Sequence, residues 1–203
     1  MSSDAHAKRV IDTEAADKRR SDFYRALGEF VLEFANTEKE VLWILFMMSN
    51  VTDAVAKSIF SGVHLDRAKD FIKKIIAAEA ARGVITYYSL MTKAFDHLEL
   101  ITRVRNGILH NGLQFWIDGD PVMHNRFKAS AQQKVREHRI SVQDLHNMIL
   151  DLRKIGTDIN VQFPPEGASI FPHVMASTRA PWRYKPPEQS APPKKPRGST
   201  PKR

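Results

Sequence analysis

Apolar positions recur every three or four residues through most of the chain, which predicts amphipathic helices. From Ser21 to about Met48 the stripe is Phe23, Leu27, Phe30, Val31, Phe34, Val41, Leu42, Leu45 and Met48, with Glu38 falling inside it. Thr52 fits the N-cap of a short helix carrying Val55, Ile59 and Phe60. A third helix is expected from about Asp66 through Phe71, Ile72, Ile75 and Ala80, stopping near Gly83. A fourth runs from about Thr86 through Met91, Phe95, Leu98, Ile101 and Ile108 to Gly112. The last begins at Ser141, with Asp144 three residues on as a capping box, and carries Leu145, Met148, Ile149, Leu152, Ile155 and Ile159. Only Gly112 to Phe127 alternates, around Asp118-Gly119, which predicts a small hairpin over about 112–127. The polar segment 128–140 reads as a loop or irregular helix. The fold class expected is all-α: a bundle of four to five helices with a small β-hairpin insertion and a disordered C-terminal tail.

Composition sharpens this picture at the ends. The chain of 203 residues has a formal charge of +8, from 31 Lys and Arg against 23 Asp and Glu. Residues 164–203 hold eight Lys or Arg and two Glu, so +6 of the charge lies in the last 40 residues, together with ten of the eleven prolines. The body, 21–163, is close to neutral. The basic, Pro-rich tail is expected to be largely disordered. Its patch Ala180-Pro181-Trp182-Arg183-Tyr184 could dock on a partner or fold back on the body. Residues 1–20 are polar and read as frayed or weakly helical.

The absence of cysteine excludes disulfides, thiolate metal sites and a thiol nucleophile, and fits a reducing compartment. The longest apolar run, Val41 to Met48, is far shorter than the roughly 20 residues of a membrane span. A cytoplasmic location with no membrane association is therefore expected. No cofactor or metal requirement is visible: there is no Gly-rich phosphate loop, no Ser-His-Asp order and no paired catalytic carboxylate. Asp96-His97-x-Glu99 superficially suggests metal ligation, but neighbouring helical residues diverge, and a solvated face is the better reading. His64, His124, His138 and His146 show no ligand spacing. Trp43 and Phe46, in a segment apolar on nearly all sides, are candidates to face a partner.

The stretch with chemical potential is Arg105-Asn106-Gly107-Ile108-Leu109-His110-Asn111-Gly112, at the end of the fourth helix. An Arg followed by Asn, with His five places after the Arg, is expected about 0.02 times by chance at this composition. An Arg-x4-His motif late in an all-α bundle resembles the HEPN superfamily (higher eukaryotes and prokaryotes nucleotide-binding), over roughly residues 21–160. Many members are metal-independent endoribonucleases of toxin–antitoxin, defence or RNA-processing systems. The resemblance implies that Arg105 and His110 are the motif arginine and histidine, Asn106 the polar residue after the arginine, and Asn111 a less secure neighbour. It also implies RNA as substrate, a homodimer with a shared site, and an antitoxin or other protein partner.

Residue chemistry agrees with that implication. Metal-free RNA cleavage needs an acceptor for the 2′-hydroxyl proton, a donor for the departing 5′ oxygen, and positive charge on the phosphorane. Histidine exchanges protons near neutral pH, and arginine presents a fork of donors matched to phosphate oxygens. Asn106, His110 and Arg103 share one ridge of the helix, whereas Arg105 lies about 140° from His110. One helix therefore offers a partial site, and a second across a two-fold axis is expected to complete it. Glu38 is expected to reach Arg105 or His110 and orient it.

Simpler readings exist for the same residues. His110 could cap the last carbonyls of its helix before Gly112, and Arg105 could be a core-edge arginine paired with Glu38. At the level of function, the alternatives are a catalytically silent HEPN-like binding or assembly module that recruits a partner through its tail, and an all-α regulatory protein unrelated to that superfamily.

Overall fold

The computed structural model describes residues 2–82, 88–116, 119–125, 137–161 and 179–187, with side chains from Thr13 onward and, in the fourth helix, from Ser89. The chain is an all-α bundle; its described residues form five helices and one small antiparallel hairpin: α1 (Ser2–Ser49), α2 (Asp53–Phe60), α3 (Leu65–Ala81), α4 (Tyr88–Asn111), β1 (Val122–His124), β2 (Glu137–Arg139) and α5 (Val142–Asn160). Among the described residues no helix is long and apolar enough to cross a membrane.

The spine is α1. Its 48 residues correspond to about 72 Å at 1.5 Å per residue. Five members of the predicted stripe are buried: Phe23, Phe30, Phe34, Val41 and Leu45 are each 3% exposed or less, whereas Val31, assigned to the same stripe, is 45% exposed. Full burial of such a side chain contributes about 2–3 kcal/mol. The helix is not confined to 21–48 as its apolar pattern suggested. It continues back through the polar residues to Ser2, because nothing in that stretch breaks a helix. It ends where Asn50 takes a left-handed conformation, φ 51°.

Against α1 runs α5. Arg153 spans Glu29 and Glu33 at 2.9 and 3.1 Å. Seven residues further along each helix, the Asn160 side chain hydrogen-bonds Glu40, so the two helices run in the same sense. Burial raises the pKa of Glu40, and the neighbouring Glu33 adds to the shift. A Cβ on Gly156 would strike that carboxylate, so glycine lets the helices approach there. The start of α5 is the predicted capping box: Ser141 Oγ accepts from the Asp144 N–H at 3.0 Å, and the Asp144 carboxylate accepts from the Ser141 N–H at 2.9 Å. On the other flank Phe46, Phe60 and Phe71 join α1, α2 and α3 in one aromatic row, with Phe46 half-buried. Trp43 remains 45% exposed.

The hairpin differs from its sequence reading. Asp118 lies outside the described residues; among those described, the pairing on either side of Gly119 is an isolated bridge, Gln114 with Val122. The strands that pair are β1 and β2, in the register Val122 with Arg139, Met123 with His138 and His124 with Glu137. Part of the segment read as loop or irregular helix is therefore strand, and Ile140 beyond it is fully buried. The physical reason is tertiary: β2 leads directly into α5, and its partner has to lie where α4 and α5 meet.

Of the two fates open to the aromatic patch in the tail, it folds back on the body. Tyr184 is 2% exposed and belongs to the same apolar core as the helices. The rest of the expected tail, 164–178 and 188–203, lies outside the described residues.

Candidate anion site at the end of the fourth helix

The last two turns of α4 carry the motif. Val104 and Ile108 turn into the core, at 6% and 8% exposure, which fixes the rotation of the helix about its axis. Arg105 is thereby half-buried on the α1 side. Its guanidinium lies over the Phe34 ring, 5.2 Å from the centroid, and its Nη1 donates to Asn106 Oδ1 at 2.9 Å. Among the described residues no carboxylate pairs with it. Several neighbouring cations are neutralised instead. Lys69 lies 2.8 Å from both Asp66 and Glu99, Lys73 meets Asp96, and Arg103 lies 3.3 Å from Glu99. Glu99 is held below the usual carboxylate range, first by its hydrogen bond from Lys69. These residues line an open cavity of about 370 Å³ between α3 and α4.

The other expected site residues are placed as follows. His110 is exposed on the last turn of α4, and Asn111 is half-buried beside it. Gly112 follows with φ +70° and donates its N–H to Ile108 O at 3.0 Å, closing the helix. Arg103 is exposed and engaged with Glu99. Glu38 is half-buried and, among the described residues, pairs with neither Arg105 nor His110. It is Asn106, not Glu38, that orients the arginine. Thus Arg105 and Asn106 are brought together on one flank of α4, and His110 stands on the next.

The hairpin is seated on the motif. A Cβ added to Gly107 would fall on Met123 Sδ and Cε, so the end of the Met123 side chain lies directly over the glycine inside the motif. His124 Nε2 is 3.0 Å from Gln114 Oε1. His138, the register partner of Met123, is half-buried, and burial lowers its pKa while Asp144 pulls the other way.

A second polar cluster was not legible in the sequence. His97, read there as part of a solvated face, is 5% exposed. Asp96 and Glu99 do face outward and pair with α3, but His97 turns inward and donates Nε2–H to Asp151 Oδ2 at 2.8 Å. Asp151 is 1% exposed and also accepts the backbone N–H groups of Arg183 and Tyr184, at 2.9 and 2.7 Å. Trp182 lies on the other face of His97, and Lys154 Nζ sits 4.5 Å from the Trp182 centroid while pairing with Asp158 at 2.7 Å. One signal was available: Asp151, Lys154 and Asp158 recur at i, i+3 and i+7 on the apolar face of α5, where unpartnered charges are costly. Among the described residues no group of three or more His, Asp or Glu is placed to hold a metal ion.

Comparison with family models, with curated proteins and with solved structures finds no match for this chain.

Proposed function

We propose that the chain is a metal-independent endoribonuclease of the HEPN type, acting as a homodimer with its site shared between subunits. The observation that carries this reading is Arg105: a half-buried guanidinium, oriented by Asn106 and Phe34, with no carboxylate to neutralise it among the described residues. Interior cations are ordinarily paired, and one left with open donors in a fixed orientation is suited to an anion such as a phosphate. The motif resemblance makes RNA phosphate the anion.

His110 lies five residues, about 140°, around the helix from Arg105, so the two residues of one chain open in different directions. A two-fold axis near the end of α4 brings the Arg105 and Asn106 flank of one subunit beside the His110 flank of the other. In that cleft Arg105 holds the phosphate and offsets charge on the phosphorane, while His110 moves a proton. The basic segments beyond residue 163 add salt-sensitive, sequence-independent RNA affinity.

A second reading, a catalytically silent module that binds a partner, is favoured by the exposed Trp43 and Met47 on α1. Cleavage of a mixed RNA pool in the presence of a divalent-metal chelator separates the two. The ribonuclease gives products with 2′,3′-cyclic phosphate ends that are lost in His110→Ala. Equal products from both proteins, or none from wild type, favour the binding module.

A further inference from the structure

The hairpin carries a second histidine, His138, paired across the strands with the residue that touches the motif. Met123 touches Gly107, and His110 lies three residues beyond Gly107, its neighbour on the helix surface. His138 is the direct cross-strand partner of Met123, so the two side chains leave the same face of the hairpin with Cβ atoms about 5 Å apart. Val122 with Arg139 and His124 with Glu137 form the alternate pairs. Of the two hairpin histidines, His124 has a ring nitrogen engaged by Gln114, whereas His138 makes no hydrogen bond among the described residues. His138 is half-buried rather than sealed. Its burial favours the neutral ring at neutral pH, the form that accepts a proton.

Resting on the ribonuclease reading, we propose that His138 is the second proton-transfer residue of the site, paired with His110 of the same subunit. The neutral His138 ring takes the 2′-hydroxyl proton as O2′ attacks phosphorus. The bond from phosphorus to O5′ breaks, and protonated His110 delivers its proton to O5′. The products are a 2′,3′-cyclic phosphate and a 5′-hydroxyl. Exchange with water then returns both rings to their starting states. One subunit thus supplies both histidines, and its partner supplies Arg105 and Asn106.

The test is cleavage of the RNA pool under chelation by wild type, His110→Ala, His138→Ala and His138→Gln, with melting temperatures and far-ultraviolet dichroism measured alongside. Removing a general acid or base costs about 10²–10⁴-fold, so a loss of at least 100-fold is expected in both folded His138 variants. Added imidazole should restore part of the activity of His138→Ala, an effect that a packing role cannot produce. Activity of His138→Gln within twofold of wild type, with His110→Ala inactive, overturns this inference and leaves the ribonuclease reading standing. Loss in folded His138→Ala without imidazole rescue also overturns it. No cleavage by wild type overturns both.

Discussion

Trp182 lies flat on His97, ring centroids 4.3 Å apart and planes 8° from parallel. The stack joins a residue of the Pro-rich segment to the middle of α4, on the face opposite the ion pairs with α3. The segment 179–187 is therefore part of the folded body, and its removal should be felt by the helices. Trp182→Ala removes the stack and the Lys154 contact together. Because Trp182 is only half-buried, the expected loss is about 2 kcal/mol, below the 3–5 typical of a fully buried aromatic. Urea unfolding followed by far-ultraviolet dichroism measures it, and an unchanged midpoint contradicts the docked segment.

Asp151, 1% exposed, accepts four hydrogen bonds from three donors: the His97 ring, the Arg183 N–H on both oxygens, and the Tyr184 N–H. In Asp151→Asn an amide nitrogen replaces one acceptor, so at least one of these four hydrogen bonds is lost and the amide N–H groups face a neighbouring donor. The expected cost is about 1–3 kcal/mol. Hydrogen exchange at the Arg183 and Tyr184 amides should accelerate by more than tenfold. Exchange as slow as in wild type would show that the carboxylate is not what holds the segment.

Tyr184 gives a pH signature. Its hydroxyl is buried without a hydrogen-bond partner among the described residues. Burial, with a smaller contribution from the Asp144 charge, pushes its pKa from 10.0 up to about 12. A raised folded-state value means that the tyrosine's contribution is fully present below pH 10 and is lost as pH climbs through the folded value. Wild type should therefore lose melting temperature between pH 10 and 12, and Tyr184→Phe should lose less over the same range. At pH 7 the Phe variant should be within about 0.5 kcal/mol of wild type, because no hydrogen bond is broken. Parallel pH profiles for the two proteins would contradict the burial of this hydroxyl.

Met123 lies over Gly107 where the hairpin meets the helix. Gly107→Ala should cost at most about 1 kcal/mol, because the end of the flexible Met123 side chain has to swing aside while alanine gains in helix propensity. Combining it with Met123→Ala should recover part of that loss in a double-mutant cycle. Additive effects would mean that the two residues do not touch.

What the sequence made legible follows from the range of each interaction. The stripes of α1, α3, α4 and α5 and the Ser141 capping box are local patterns, and each lies where its residues predict. The Asp118-Gly119 signal was also local, yet among the described residues only an isolated bridge, Gln114 with Val122, lies beside it. The pairing that dominates joins strands whose ends are separated by residues 125–136. His97 and Asp151 are 54 residues apart, and a helical wheel of α4 alone cannot reveal a partner on α5. Of the site, the spacing made visible that Arg105 and His110 leave the helix in different directions, but it grouped Asn106 with His110, whereas the Asn106 side chain accepts from Arg105. It misplaced Glu38, because a carboxylate on the stripe of α1 has several ways to point and only the packed neighbours choose among them.

The most direct test of a site shared across a two-fold axis is subunit mixing. Homodimers of Arg105→Ala and of His110→Ala should each be inactive. After unfolding and refolding together, about half the dimers are mixed, and each mixed dimer has one intact composite site. Metal-free cleavage should return to about a quarter of the wild-type rate. If Arg105 and His110 instead act within one chain, every mixed dimer lacks a complete pair, and the mixture stays inactive.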